Sequence, residues 1–131
     1  MKELILGGAR SGKSAHAQRR AADSGLPVTV IVTGSAGDEE MAERIAHHRA
    51  TRPADWRVVE APCSLAAALR AETAMGRCVI VDCLTLWLMN VIDRNFAAER
   101  QALLDALPGL PGEVLFVANE LFGTDELAEQ H

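Results

Sequence analysis

A glycine-rich octapeptide near the start of the chain constrains its fold more than any other feature. The segment follows the pattern G-x-x-x-x-G-K-S and lies between an apolar strand pattern and a helical pattern. Its residues are Gly7, Gly8, Ala9, Arg10, Ser11, Gly12, Lys13 and Ser14. Such a loop turns its N–H groups around phosphate oxygens, and the helix that follows presents the positive end of its dipole. The pattern predicts a nucleoside triphosphate site, with Lys13 at the outer phosphates and Ser14 on Mg²⁺; the alternative is a glycine-rich turn without a ligand.

Apolar runs alternate with helical patterns along the chain, which predicts an α/β domain with a mainly parallel sheet. The predicted strands are 4–6, 28–33, 56–60, 79–82 and 114–118. The predicted helices are 13–23, 39–51, 65–75, 84–92 and 95–107. We expect the first strand to be buried, because both of its faces are apolar. The helix at 84–92 is apolar on nearly every side, so we expect it to be buried or packed against another subunit.

Length and charge narrow the classes of protein to consider. The chain has 131 residues, the size of one compact domain, and 49% of them are apolar. A formal net charge of −5 argues against nucleic acid or an anionic membrane as the main partner, since both favour clustered positive charge. No apolar run approaches the roughly 20 residues needed to span a bilayer. We therefore expect a cytoplasmic protein with small-molecule partners.

The cysteine content is the second compositional constraint. Cys63, Cys78 and Cys83 are odd in number and lie in or beside apolar segments. This arrangement favours buried thiols in a reducing compartment over a disulfide framework or a zinc site.

Polar side chains follow two of the predicted strands, at the edge where parallel sheets bind ligands. Asp82 ends the strand at 79–82, and phosphate-binding loops work with an acid in this position, which holds the metal. We favour that role over the alternative that Asp82 caps the helix beginning near Leu84. Asn119 and Glu120 end the last strand. They either contact substrate or metal or simply close the strand, and the sequence leaves both interpretations open.

A histidine pair, His47-His48, lies in the predicted helix at 39–51. Neighbouring helix positions point about 100° apart, so one imidazole can react while the other orients. A histidine pair on a basic helix is more often a solvated face than a catalytic group. In a nucleotide enzyme, however, a neutral imidazole can attack a phosphorus atom while arginines neutralise the developing charge. Both interpretations stay open from the residues alone.

With these features, the sequence resembles the bifunctional adenosylcobinamide kinase / adenosylcobinamide-phosphate guanylyltransferase family. The resemblance rests on GGARSGKS at 7–14, DEEMAERIAHHR at 38–49, Arg52-Pro53 with Trp56-Arg57 and Glu60, and VDCLTLWL at 81–88. A generic kinase would share only the first of these segments. The resemblance implies a P-loop NTPase of RecA-like architecture, a three-layer α/β sandwich.

The resemblance also implies two reactions. The first phosphorylates the aminopropanol hydroxyl of adenosylcobinamide from a nucleoside triphosphate, and the second transfers GMP from GTP to adenosylcobinamide phosphate. Mg²⁺ would be held by Ser14 and Asp82, and the implied catalytic residues are Lys13 and a guanylylated His47. The further implied nucleotide contacts are Thr33, Gly34, Ser35, His48, Arg49, Ala50, Thr51, Glu60 and Asp82. The sequence leaves ATP and GTP open as the kinase donor, because a P-loop binds phosphates and not the base.

The resemblance extends from Met1 to about Glu120. Family members continue into a further helix and strand, whereas here Leu121-Phe122-Gly123-Thr124 follows. We expect one P-loop nucleotide-binding domain over 1–131 that lacks this C-terminal helix and strand. The resemblance also implies a homotrimer. Two alternatives stay open, a single-activity P-loop kinase for another small molecule and a catalytically silent GTP-binding module.

Overall fold

A parallel sheet with helices on both faces forms the core of the protein. The computed structural model describes residues 2–7, 13–34 and 56–119. Its strands are β1 (Lys2–Gly7), β2 (Val28–Val32), β3 (Arg57–Glu60), β4 (Cys78–Asp82) and β5 (Glu113–Asn119). All neighbouring strands are parallel, and their order across the sheet is β1-β5-β4-β2-β3. The predicted α/β fold with a parallel sheet is thus confirmed.

Helices pack on both faces of this sheet. They are α1 (Lys13–Asp23), α2 (Leu65–Glu72), α3 (Leu84–Val91) and α4 (Phe96–Ala106), and a 3₁₀ turn at Leu107–Gly109 follows α4. Of the described helices, α1 packs on one face of the sheet, and α2, α3 and α4 pack on the other. α1 begins and ends at the predicted residues. None of the described helices is long and apolar enough to cross a membrane.

The two faces of the sheet carry separate apolar clusters. On one face, Val30 of β2 packs in a cluster with Ala17 and Ala21 of α1. On the other, Ile31 packs with a cluster that includes Leu65 of α2, and residues of α3 and α4 belong to the same cluster. Each such buried aliphatic side chain contributes about 1.5–3 kcal/mol relative to exposure. Successive side chains of β2 thus point to opposite faces of the sheet, and helices pack on both faces, which gives the expected three layers.

Two predictions about element boundaries and burial are wrong. α2 ends at Glu72 rather than at residue 75, because the backbone of Thr73 is extended, with φ −77° and ψ 144°. Of the predicted strand 4–6, only Ile5 is buried, at 8% exposed, whereas Leu4 is 55% and Leu6 is 60% exposed. The reason is position, since β1 lies at an edge of the described sheet and α1 covers only the face that carries Ile5.

The cysteines are free thiols, but only one of them is buried. Cys78 is buried in β4, while Cys63 and Cys83 are partly exposed. The prediction of buried thiols therefore holds for Cys78 alone. Cys63 and Cys83 lie in connections at the ends of strands, where the apolar pattern of the sequence does not translate into full burial.

Several predicted features lie outside the described residues. They are the loop residues 8–12, Ser35, the helix at 39–51 with His47-His48, and Glu120. Gly7, Lys13, Ser14 and Asn119 are described by their backbone only.

Candidate nucleotide site

Predicted site residues from separate strands meet at the carboxyl edge of the sheet. Val32 is in register with Asp82 on one side and with Glu60 on the other. Asp82 in turn pairs with Val117, two residues before the partner of Gly7 on β5. The ends of β1, β2, β3 and β4 therefore point to one side of the domain, where open parallel sheets bind ligands.

The predicted P-loop has the strand and helix that such a motif requires. β1 ends at Gly7, and α1 begins at Lys13. Near the opposite end of this unit, Arg20 of α1 donates to Glu3 of β1 from Nε at 3.0 Å and from Nη2 at 2.7 Å. This exposed ion pair contributes little stability, but it shows that α1 runs back along β1. The N-terminus of α1 consequently lies at the same edge as Gly7.

Thr33 joins the end of β2 to the end of β4. Its buried hydroxyl donates to the carbonyl of Cys83 at 2.7 Å and accepts from the Cys83 N–H at 3.0 Å. The Thr33 N–H donates to the Asp82 carbonyl at 3.2 Å. The hydroxyl thus holds the residue that follows Asp82, a role that the sequence did not indicate. A nucleotide contact by Thr33 stays a prediction.

Asp82 ends β4 in a partly buried position. The capping position of α3 belongs to Cys83, whose Sγ accepts from the Leu86 N–H at 3.4 Å. Asp82 is therefore not the residue that caps this helix. The described residues contain no group of three or more acids, histidines or cysteines that could hold a metal. A single carboxylate nevertheless fits Mg²⁺, which commonly keeps several waters and binds one or two carboxylates plus nucleotide phosphates.

α3 fastens the turn after β3 to the end of β2. The side-chain amide of Asn90 donates from Nδ2 to the carbonyls of Thr33 and Pro62, at 2.9 Å each. One turn earlier, the indole Nε1 of Trp87 donates to the Cys63 carbonyl at 2.8 Å. These hydrogen bonds of Asn90 and Trp87 were not predicted from the sequence. The signal for Asn90 was a side-chain amide in the mostly apolar helix at 84–92, where a polar group needs hydrogen-bond partners.

An open pocket of about 490 Å³ lies beside this turn. It is lined by Glu60, Ala61, Pro62, Cys63, Ser64, Ala67 and Ala68. Glu60 is exposed, and an ionised carboxylate only accepts hydrogen bonds. The pocket therefore combines a hydrogen-bond acceptor with small, mostly apolar side chains.

Comparison with known proteins identifies the family. The profile of the cobinamide kinase / cobinamide phosphate guanyltransferase family matches residues 3–126. The chain belongs to this family. The bifunctional adenosylcobalamin biosynthesis protein CobP of Pseudomonas aeruginosa is 56% identical over 124 residues, which cover 92% of this chain and 72% of that protein. The protein CobU of Escherichia coli K12, of the same description, is 35% identical over 138 residues, covering 92% of this chain and 76% of that protein.

Family membership confirms the resemblance seen in the sequence and, with it, the P-loop NTPase fold. It also makes the chain an enzyme of the kinase and guanylyltransferase class. The roles of individual residues stay predictions. The structure brings Gly7, Thr33, Glu60 and Asp82 to one edge of the sheet, whereas His47 to Thr51 lie outside the described residues.

Proposed function

We propose that this protein phosphorylates adenosylcobinamide and then transfers GMP from GTP to adenosylcobinamide phosphate, in the biosynthesis of adenosylcobalamin, vitamin B12. The observation that carries the proposal is the junction of β1 and α1 around the P-loop sequence, with Asp82 at the same edge of the sheet. The family match supports it, because residues 3–126 include both the P-loop and His47. We propose that residues 1–131 belong to one P-loop nucleotide-binding domain.

The phosphates and the metal would bind at the β1 end of this edge. Backbone N–H groups of the loop at 7–14 would surround the phosphates of ATP or GTP, and Lys13 would neutralise charge on the transferred phosphoryl group. Ser14 and Asp82 would hold Mg²⁺, which supplies electrostatic stabilisation of the departing phosphate oxygens. Asp82 suits this task since its carboxylate ends a central strand next to β5.

The guanine nucleotide would extend toward β2 and β3. Glu60 would accept hydrogen bonds from the N–H donors of guanine, beside the pocket formed with Cys63 and Ala67. Thr33, Gly34 and Ser35 would follow the nucleotide along the end of β2. The residues expected to line its other side are His48, Arg49, Ala50 and Thr51.

The guanylyl transfer would proceed through His47 in two displacements. A neutral imidazole nitrogen attacks the α-phosphorus of GTP, a P–N bond forms, and pyrophosphate leaves with the electrons of the broken P–O bond. A phosphate oxygen of adenosylcobinamide phosphate then attacks the same phosphorus. The P–N bond breaks, the imidazole is released, and GMP becomes linked to the substrate by a new phosphoanhydride bond.

Labelled nucleotides test the two activities separately. With adenosylcobinamide and Mg²⁺, transfer of ³²P from the γ-position of ATP or of GTP reports the kinase, and transfer from the α-position of GTP, with unlabelled ATP present, reports the guanylyltransferase. We expect both from the parent chain, and a fall of about 100-fold or more in the kinase rate for Asp82→Asn, which lacks the charge that holds the metal. γ-transfer alone would indicate the single-activity kinase, and GTP binding without transfer would indicate the silent module.

We also propose a homotrimer, on the family resemblance. The exposed apolar side chains at the end of α3 are compatible with it, since Met89 is 64% and Ile92 is 54% exposed. A subunit contact would remove this surface from water. Sedimentation equilibrium would show three times the chain mass if the proposal is correct and one chain mass if it is wrong.

A further inference from the structure

We propose that Asn90 is a positioning residue of the nucleotide site, whose side-chain amide sets the spacing between the end of β2 and the turn that follows β3. The inference rests on the proposed function, because these two segments carry Thr33, Gly34 and Glu60. Asn90 itself belongs to α3 and contacts the backbone of the two segments. It would act on the nucleotide only through them.

The hydrogen-bond geometry supports this role. Nδ2 of Asn90 lies 2.9 Å from the carbonyl oxygen of Thr33 and 2.9 Å from that of Pro62. A primary amide has two N–H donors at a fixed angle, so one side chain spans both carbonyls. The same two segments are joined directly by the bond from the Ala61 N–H to the Val32 carbonyl, at 2.9 Å. The amide therefore extends a backbone pairing past the last residue of β3.

The helix that carries Asn90 is itself anchored. Trp87, three residues earlier and on the same face, is only 6% exposed and belongs to the apolar cluster of α2, α3 and α4. Its indole N–H holds the Cys63 carbonyl at 2.8 Å. Because α3 is fixed in the core by Trp87, Asn90 presents its donors from a rigid support.

If Asn90 positions the turn after β3, its substitution should move that turn and leave the packing of the core unchanged. Asn90 is partly exposed and Pro62 is exposed, so water can satisfy the Pro62 carbonyl when the amide is removed. The core beneath Trp87 would stay packed while the turn at 61–63 moves away from Thr33. We therefore expect a substitution at Asn90 to make the turn at 61–63 more mobile and to weaken nucleotide binding.

The test uses two substitutions and a matched control. Asn90→Asp keeps the shape but places acceptor oxygens against two carbonyls, and Asn90→Ala removes the donors without adding charge. Gln101→Glu makes the same change from amide to carboxylate on exposed α4, where Gln101 Nε2 donates to Asp105 Oδ1 at 2.8 Å. Two quantities are measured on each protein: amide hydrogen exchange of segment 57–64 without nucleotide, and the Kd for GTP with Mg²⁺ by calorimetry.

We expect both Asn90 variants to exchange faster in segment 57–64 and to bind GTP about tenfold more weakly, the loss that one or two hydrogen bonds of ordinary strength produce. Gln101→Glu should match the parent in both measurements. Unchanged exchange, or faster exchange with an unchanged Kd for GTP, would overturn the inference. A parent chain that does not bind GTP would instead contradict the proposed function, while the exchange data would still report whether Asn90 holds the turn. Should Asn90→Asp fail to fold, Asn90→Ala decides the outcome.

Discussion

At the carboxyl edge of the sheet, two residues have structural hydrogen bonds that link and cap the elements meeting there. Thr33 directs its hydroxyl into the protein toward Cys83, and Cys83 takes the capping position of α3. In the proposed function, the carboxylates of Asp82 and Glu60 serve different ligands. Asp82, partly buried at the end of β4, would hold the metal, and Glu60, exposed beside an open pocket, would accept hydrogen bonds from the base.

Gly112, just before β5, is required by its backbone and by its surroundings. Its φ is +75°, and a Cβ atom built there would overlap the Ala74 carbonyl and lie 2.7 Å from the Arg77 carbonyl. We expect Gly112→Ala to lower the free energy of unfolding by about 2–5 kcal/mol, since left-handed strain and a backbone clash add. Chemical denaturation measures the loss.

Gly76 supplies the matched control for that substitution. It also has a positive φ, of +79°, but a Cβ there meets nothing within 4 Å. Gly76→Ala should cost about 1 kcal/mol from the backbone conformation alone. Equal losses for the two variants would contradict the close approach at Gly112.

The buried thiol of Cys78 should make the free energy of unfolding depend on pH in the alkaline range. Burial, and secondarily the negative charge of Glu113, raise the pKa of the Cys78 thiol from 9.0 to about 11. The neutral thiol is favoured in the folded state, so its contribution is complete below pH 9.0 and is lost as the pH rises through about 11. Between these values, the unfolding free energy of the parent should fall more steeply than that of Cys78→Ala. If the unfolding free energy of Cys78→Ala falls as steeply as that of the parent, the assignment of this pH dependence to Cys78 is wrong.

Secondary structure elements show where sequence reasoning succeeds and where it stops. α1 and the parallel strands were predictable, because apolar runs and helical periodicity are local properties. The burial of β1 was not, since Leu4-Ile5-Leu6 is the same tripeptide whether its strand is central or at an edge. The end of α2 was missed because Met75 continues the apolar pattern, although it is 83% exposed in a turn. The contacts of Asn90 were also out of reach, as they depend on where the turn after β3 lies in space.

Substitutions in β1 test the asymmetry of this strand. Ile5→Ala should cost about 2–5 kcal/mol, because Ile5 packs beneath α1. Leu6→Ala should cost about 1 kcal/mol or less, because the side chain is 60% exposed. Equilibrium denaturation compares the two variants. A loss at Leu6 as large as that at Ile5 would show that the second face of β1 is covered in solution.

At the scale of the whole molecule, the junction of β1 and α1 and the open pocket beside β3 lie on one edge of a single sheet. The fold class and the family followed from the sequence, since the loop and the segments at 38–49 and 81–88 are specific in their residues. The assembly of the site from four strands followed from the sheet order, which no local pattern specifies. The role of His47 rests on the family resemblance, because this residue lies outside the described part of the chain.

Intact-protein mass spectrometry after incubation with GTP and Mg²⁺ tests that role most directly. The parent chain should gain the mass of one GMP, and the adduct should be absent from His47→Ala and reduced in Lys13→Ala. His16→Ala, at an exposed histidine of α1, is the matched control, and it should still form the adduct. An adduct that persists in His47→Ala, or no adduct on a parent chain that binds GTP tightly, would contradict the proposed guanylyl transfer through His47.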